Sequence, residues 1–266
     1  MLRGSSESCD HVWKGLFVTE PGVGWCERLA WDSTFFGLEI GRLRTKQLSA
    51  DFLESVRSWC EDNAIDCLYF LADSNDAESI RQAEDFGFNL VDIRVTLTRS
   101  VTTAEEVTRT TPIIIRLGGA ADLQKLRSVA RRSYHDSRFY FDRNFPDEKC
   151  DLLYETWLRK CFDDHSGAVL IAEFEGAPIG YITCERFDQE TGQIGLLGVD
   201  SSAQGMGAGR NLVLAAAAWF REHGFQRAQV VTQGRNIRAQ RAYMQCSFLP
   251  HSVQLWYHRW FLSNQR

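Results

Sequence analysis

A glycine-rich turn between an apolar strand and an apolar helix is the feature that most constrains the fold of this chain. The turn reads Gln204-Gly205-Met206-Gly207-Ala208-Gly209 and follows an apolar stretch at 193–199. Glycine tolerates the left-handed backbone of a tight turn, and the first N–H groups of the following helix have no partner within that helix. The helix dipole adds partial positive charge at the same place, so the turn is predicted to bind a pyrophosphate group.

Two common phosphate-binding motifs do not fit this turn. A P-loop requires Lys and then Ser or Thr after its last glycine, whereas Arg210 and Asn211 follow here. A dinucleotide fingerprint requires G-x-G-x-x-G and an acidic residue about 20 positions later. The glycines here read G-x-G-x-G, and no Asp or Glu occurs after Glu222. The pattern that remains is Gln-x-x-Gly-x-Gly.

This pattern resembles the turn with which the GNAT N-acetyltransferase superfamily holds acetyl-CoA. A second element of that superfamily, Asn-x-x-Ala-x-x-x-Tyr, stands at 236–243. The resemblance implies that the preceding strand pairs with the pantetheine arm, as an added strand would, and that a bulge there aims the N–H of Val199 at the thioester oxygen. The residues it assigns to acetyl-CoA are Leu197, Gly198, Val199, Gln204, Gly205, Met206, Gly207, Ala208, Gly209, Arg210 and Asn236.

Apolar periodicity predicts alternating strands and helices along the whole chain. The stretch 25–43 is expected to hold short strands broken by glycines, and the polar stretch 100–111 is interpreted as a linker. The element order after the linker is that of the GNAT fold. We therefore expect an α/β (α+β) protein with a mixed central sheet and flanking helices. Residues 1–105 would form a smaller accessory α/β domain and residues 112–266 the GNAT domain. No repeat of fixed period is visible. A degenerate half of the same fold is left open as an alternative for the part before the linker.

The composition and the cysteine pattern argue against a membrane-spanning protein and against a metal-binding protein. Hydrophobic residues make up 44% and charged residues 24% of the chain, as in ordinary soluble proteins. No apolar run is long enough to span a membrane, and residues 1–10 lack a signal-peptide core, so a cytoplasmic location is expected. The eight cysteines form no C-x-x-C pair and no His pair has zinc spacing. No metal is therefore expected.

Positive charge is concentrated near the C-terminus. From His223 to Arg266 the chain has six arginines and no Lys, Asp or Glu, although the net charge of the chain is −5. A local cationic segment in an acidic protein favours a small polyanionic ligand over nucleic acid, which more often meets a basic domain. A solvated arginine face is the alternative.

Several segments resemble one branch of the superfamily, the dTDP-fucosamine acetyltransferases. These enzymes acetylate the 4-amino group of a TDP-linked amino sugar, and the resemblance covers nearly the whole chain. It therefore implies a nucleotide-linked amino sugar as the acceptor. The segments that carry it are Trp31–Gly37, Gly87–Asp92, Ser137–Phe139, Ile194–Leu197 and Ala228–Gln233.

The same resemblance suggests catalytic roles. Tyr243 is the predicted acid that protonates the leaving thiolate; the alternative is a tyrosine that anchors the core. A free tyrosine titrates near ~10 and a thiol near ~8.5. The role therefore requires either hydrogen bonding as charge develops or acidification by Arg238 and Arg241. The resemblance makes Asp92 the general base, acting through water, whereas a pairing of Asp92 with Arg94 would make it structural.

The loop 135–146 is crowded with aromatic and charged side chains. Arg138 and Tyr140 are the candidates there for binding the nucleotide diphosphate and the sugar, with Arg138 on phosphate. An ordinary solvated loop is the alternative.

The sequence thus predicts an acetyl-CoA-dependent N-acetyltransferase acting on a nucleotide-linked amino sugar. The alternatives are a GNAT enzyme for another small amine, an amino acid or a protein N-terminus, and a non-catalytic acetyl-CoA sensor. Neither nucleic acid nor membrane is an expected partner, and a homodimer is left open.

Overall fold

The computed structural model describes residues 25–103, 112–164 and 166–261. Ten strands and eight α-helices alternate in this part of the chain. The strands are β1 (Cys26–Arg28), β2 (Ile40–Leu43), β3 (Cys67–Asp73), β4 (Asn89–Ser100), β5 (Ile114–Leu117), β6 (Ala168–Phe174), β7 (Ala177–Arg186), β8 (Thr191–Val199), β9 (Arg227–Gln233) and β10 (Leu249–Trp260). The helices are α1 (Ala30–Phe36), α2 (Ala50–Asp62), α3 (Ala77–Asp85), α4 (Ala120–Arg132), α5 (Arg138–Phe141), α6 (Asp147–Asp163), α7 (Ala208–Glu222) and α8 (Ile237–Met244).

All ten strands form one mixed sheet in the order β1-β2-β3-β10-β4-β9-β8-β7-β6-β5. The pairs β2–β3 and β8–β9 are parallel, and the other neighbours are antiparallel. Helices cover the sheet, which buries its apolar side chains in three clusters. The predicted mixed α/β fold is confirmed. No helix in the described ranges combines the length and the apolar character that crossing a membrane requires.

The short strands predicted within 25–43 form at 26–28 and 40–43, but the prediction missed helix α1, which residues 30–36 form between them. Trp31 and Phe35 lie one helical turn apart and their rings stack at 5.0 Å. The helix ends at Gly37, which adopts a left-handed φ of 74° and donates its N–H to the carbonyl of Ser33. Aromatic side chains favour strands on average. Here the two rings are four residues apart, so they contact each other on one face of a helix and stabilise it.

The structure contains a strand–helix–strand repeat that the sequence does not show. Strands β3 and β9 begin at residues 67 and 227, and β4 and β10 begin at 89 and 249, so the second unit follows the first at a constant offset of about 160 positions. Both helices between them are capped in the same way. The Asp76 carboxylate accepts the N–H of Ser79, and the Asn236 side chain accepts the N–H of Ala239.

The two units exchange their last strands. Arg94 of β4 pairs with Gln233 of β9, and Gln254 of β10 pairs with Asp73 of β3, which are equivalent pairs at the same offset. Arg94 and Gln254 also pair with each other across β4 and β10. An approximate two-fold axis therefore passes between these two residues, between strands β10 and β4.

Only the second unit carries the predicted acetyl-CoA features. The first unit has Arg44–Ser49, without glycine, at the position of the glycine-rich turn, and Ala83 at the position of Tyr243. Because β10 lies between β3 and β4, the two parts of the chain share one sheet. The division into domains at 1–105 and 112–266 stays a proposal, and residues 104–111 of the predicted linker lie outside the described residues.

Candidate active site

A gap opens in the sheet between the parallel strands β8 and β9. Their pairing ends at Ile194 and Val230, whereas β8 stays paired with β7 up to Val199. At the end of the β8–β9 pairing, Gly195 and Leu196 of β8 oppose the single residue Thr183 of β7. Such a bulge bends its strand, and here it carries β8 away from β9. A Cβ on Gly195 would lie 2.5 Å from a Glu185 carboxylate oxygen and 2.8 Å from the Thr183 hydroxyl oxygen, so a larger residue there would displace these two side chains.

The backbone of β8 beyond the bulge faces this gap. The N–H of Asp200 donates to the carbonyl of Ile179 at 2.8 Å. Hydrogen-bonded and non-hydrogen-bonded pairs alternate along an antiparallel ladder. The N–H groups of Leu197 and Val199 therefore point away from β7 and into the gap. The structure places the bulge at Gly195–Leu196, just before the segment where the resemblance implied it, and still turns the Val199 N–H toward the gap.

The glycine-rich turn follows β8 directly. Gly205 and Gly207 have φ angles of 85° and 86°, and α7 begins at Ala208. Left-handed backbone at both positions explains why the turn contains glycines. The side chain of Asn236, the other residue assigned to acetyl-CoA, accepts the N–H of Ala239 at 2.9 Å and so caps α8.

We expect Gly205→Ala to weaken acetyl-CoA binding about fivefold, measured by titration calorimetry. No atom lies within 4 Å of the added Cβ, so the cost is conformational: a left-handed alanine is disfavoured by about 1 kcal/mol. Gly224→Ala is the matched control, because Gly224 has a similar φ of 82° and equally open space at the other end of α7. The control should lose stability but keep its affinity. Equal affinities for all three proteins would contradict the assignment of the turn.

A cavity of about 380 Å³ extends from the gap to the N-terminal part of the sheet. Its walls bring together five of the predicted site residues, namely Asp92, Arg138, Leu197, Asn236 and Tyr243. Tyr140, Gly198, Val199 and the residues of the 204–210 turn are not among the lining residues. In the part of the chain that the structure describes, no group of three or more His, Cys, Asp or Glu side chains is arranged to hold a metal ion.

Asp92 lies on β4 with 5% of its surface exposed. Burial raises the pKa of its carboxyl from 3.8 to about 6, against the opposing effects of Arg235, Arg138 and the N–H of Ile93. The Arg235 guanidinium lies 3.8 Å from a carboxylate oxygen, whereas the pairing with Arg94 does not form. A carboxylate with this pKa is largely ionised at pH 7 and basic enough to accept a proton.

Tyr243 lies on α8 and is 4% exposed. Burial raises the pKa of its hydroxyl above the usual value, and the only other resolved cause, Cys246, acts in the same direction. Arg238 and Arg241 therefore do not lower the pKa of Tyr243 in this structure. Of the two routes considered for the acid role, the one that remains is a hydrogen bond from the phenol to the sulfur as negative charge develops there. Among the described residues the phenol has no hydrogen-bond partner. Its proton is therefore available to a ligand in the cavity.

The two candidates for acceptor binding have different surroundings. The Arg138 guanidinium lies 4.0 Å from the centroid of the Trp256 ring and 4.5 Å from that of Phe139. No carboxylate of the described residues lies within ion-pair distance of it. Tyr140 instead donates its hydroxyl to the Asp151 carboxylate on α6 and lies outside the cavity wall.

Several charged and aromatic residues of the cavity were not predicted from the sequence. Tyr69 on β3 and Arg94 on β4 line it, but both stand within apolar strand patterns that give no sign of a site. Asp32 and Lys160 line it as well. Asp32 lies in the Trp31–Gly37 segment and could have been found there, because a carboxylate among aromatic residues is unusual in a core.

The C-terminal part of the chain is similar to a known protein family. The model of the acetyltransferase (GNAT) family matches residues 130–248. A GCN5-related N-acetyltransferase from Sphaerobacter thermophilus superposes with a TM-score of 0.63 at 11% identity, covering 88% of this chain and 76% of that one. The fold is thus that of GNAT acetyltransferases.

Two curated proteins are similar in sequence. Mycothiol acetyltransferase of Beutenbergia cavernae is 35% identical over 108 residues, which are 39% of this chain and 33% of that protein. Spore coat polysaccharide biosynthesis protein SpsD of Bacillus subtilis is 24% identical over 155 residues, 56% of this chain and 52% of that protein. The chain thus spans a third to a half of the length of these relatives.

Proposed function

Because residues 130–248 match the GNAT family and the chain has the GNAT fold, we propose that this protein is an acetyl-CoA-dependent N-acetyltransferase. Its proposed acceptor is the amino group of a nucleotide-linked amino sugar. One observation carries the proposal. A single cavity joins the open edge of β8, the protonated phenol of Tyr243 and the carboxylate of Asp92 with its raised pKa.

The open edge of β8 and the left-handed turn fit acetyl-CoA. The unpaired N–H groups of Leu197 and Val199 suit an extended pantetheine arm, and the backbone of 204–210 suits its pyrophosphate. Bound acetyl-CoA supplies the acetyl thioester. The gap-facing N–H of Val199 is placed to stabilise negative charge on the thioester oxygen, and one such donor typically lowers a barrier by ~3–4 kcal/mol.

Asp92 and Tyr243 handle the two protons of the reaction. Asp92 accepts a proton from the acceptor's ammonium group, directly or through water, and the neutral amine can then form the new C–N bond to the acetyl carbon. As the C–S bond breaks, Tyr243 donates its phenolic proton to the departing sulfur. The nitrogen loses its second proton as the amide forms, and this proton restores the Tyr243 phenol. The proton on Asp92 returns to solvent, so that atoms and charge balance over one turnover.

The charges of the cavity support an anionic acceptor. Four cationic side chains and two carboxylates line it, and Arg138 is the proposed contact to phosphate. Its aromatic walls offer faces for a sugar ring or a nucleobase. The name of the SpsD relative, which refers to polysaccharide biosynthesis, agrees with a sugar acceptor.

A second acceptor class is favoured by the other relative. The chain is 35% identical to mycothiol acetyltransferase over 108 residues, compared with 24% identical to SpsD over 155 residues. That similarity supports a small amine related to mycothiol as the alternative. Such an acceptor would need no phosphate contact, which separates the two candidates experimentally.

The test is release of free CoA thiol from acetyl-CoA with a TDP-linked 4-amino-4,6-dideoxy sugar. We expect saturable release with this acceptor and none with free amino sugars or polyamines. Release with mycothiol-type amines alone would replace the nucleotide sugar by the second class. Acetyl-CoA binding without release on any amine would favour the non-catalytic sensor instead.

A further inference from the structure

Two buried hydrogen-bond donors in the cavity wall have no partner among the described residues. The Tyr69 hydroxyl belongs to a side chain that is 1% exposed, and it makes no hydrogen bond. The Nε of Arg138 is buried as well and is also unpaired. Buried polar groups in native proteins nearly always have partners, so two orphans in one cavity point to a ligand that supplies acceptors.

Both donors are held rigidly. The Tyr69 ring stacks on His258 at 4.5 Å, and His258 is anchored by a 2.7 Å contact between its Nδ1 and the Asp142 carboxylate. The Arg138 guanidinium lies 4.0 Å from the Trp256 ring centroid and 4.9 Å from that of Tyr69. A hydroxyl and a guanidinium fixed in this way need little reorganisation when a ligand binds.

Arg94 adds a second guanidinium to the same cavity. It is 5% exposed, and its side chain donates to the neutral amide of Gln254 at 2.6 Å. Within the described residues no carboxylate forms an ion pair with Arg94 or Arg138, although Asp32 and Asp92 also line the cavity. The Asp32 and Asp92 carboxylates offset part of the charge of Arg138, and an anionic ligand would offset the charge that remains on the two guanidinium groups.

We propose that Tyr69, Arg94 and Arg138 form a subsite for a phosphate or diphosphate group of the acceptor, with Tyr69 selecting phosphorylated acceptors. All three side chains can donate to phosphate oxygens, and the arginines supply the charge. The inference rests on the proposed function, since the same molecule would present its amine to Asp92. The subsite is separate from the glycine-rich turn, whose residues 204–210 do not line this cavity.

The test measures binding, without catalysis, in the presence of saturating CoA. The probes are inorganic phosphate, pyrophosphate, thymidine diphosphate and thymidine, followed by calorimetry and thermal shift. We expect pyrophosphate and thymidine diphosphate to bind, and a lack of binding by both of them and by inorganic phosphate would overturn the subsite. Thymidine alone should be much weaker. Tyr69→Phe should weaken diphosphate binding about tenfold, the usual effect of one hydrogen bond to a charged group.

Tyr257→Phe is the matched control. Tyr257 is also a 1% exposed tyrosine of the same sheet, but its hydroxyl donates to Glu84 outside the cavity. We expect this control to lower the melting temperature and to keep wild-type diphosphate affinity. Tyr69→Phe should show the opposite pattern, because it removes a hydroxyl that has no partner to lose. If Tyr69→Phe fails to fold, Arg138→Gln tests the same subsite.

Wild-type diphosphate affinity in Tyr69→Phe and Arg138→Gln would overturn the subsite, and so would diphosphate binding that occurs only when CoA is left out. In turnover assays the acceptor KM of Tyr69→Phe should rise while kcat stays nearly constant. The subsite and the activity can fail separately. Tyr69-dependent diphosphate binding without CoA release supports the subsite and refutes the activity, whereas CoA release with unchanged binding in both variants does the reverse.

Discussion

Asp92→Asn should lower kcat/KM by about 10²-fold at pH 7 and remove the acid limb of the pH profile near pH 6. General bases typically contribute at least this factor. The wild-type base works only when ionised, and its pKa is about 6, so activity should fall as the pH drops through that value. The measurement is kcat/KM for the amine acceptor between about pH 5 and about pH 8.

Arg235→Gln is the companion variant for this prediction. The Arg235 charge lowers the pKa of Asp92, so its removal should move the acid limb to higher pH. An unchanged limb in Asp92→Asn would assign the titration to the amine itself and exclude Asp92 as the base.

Loss of activity in Asp92→Asn should not come from unfolding. The folded-state pKa of Asp92 lies above its unfolded value, so the native state holds this proton more tightly. The contribution of Asp92 to stability therefore falls as pH rises between about 4 and about 6. At pH 7 the ionised carboxylate destabilises the fold. The asparagine variant should thus melt at or above the wild-type temperature.

Tyr243→Phe should lower kcat at least tenfold while leaving the Kd for acetyl-CoA within about twofold. The phenol makes no hydrogen bond in the described part of the chain, so its removal costs no native contact. The ring remains in place against Phe248, with centroids 5.8 Å apart. Steady-state kinetics and calorimetry on the same preparation separate the two quantities.

Tyr134→Phe is the control for a second phenol of the same cavity. Tyr134 shares a 2.9 Å hydrogen bond with Tyr181, and burial raises its pKa as well. We expect this variant to keep most of its turnover. Wild-type turnover in Tyr243→Phe, or a larger loss in Tyr134→Phe, would move the acid role away from Tyr243.

The sequence alone predicts those features that depend on residues close together in the chain. The glycines of the 204–209 turn adopt left-handed backbone, and Asn236 begins a helix that its own side chain caps. Both follow from conformational preference and hydrogen bonds that span only a few residues. The helix at 30–36 was missed because aromatic composition outweighed the spacing of Trp31 and Phe35.

The sequence alone does not predict those features that depend on pairing between strands of the sheet. The partner of Asp92 is Arg235, about 140 positions away, and not the nearby Arg94, because β4 lies between β9 and β10 and Arg94 reaches Gln254. The strand–helix–strand repeat was hidden for a related reason. The two units keep the same strand and helix positions, but their side chains differ. The first unit, for example, has Ala83 at the position where the second unit has Tyr243.

The sequence by itself determined the turn, the capped helix and the mixed order of strands and helices, since short-range periodicity and backbone preference specify them. Only the tertiary structure decided where β8 leaves β9, how far burial raises the pKa of Asp92 and which donors remain unpaired around Arg138. Those properties depend on desolvation and on contacts between residues far apart in the chain, which no local pattern records.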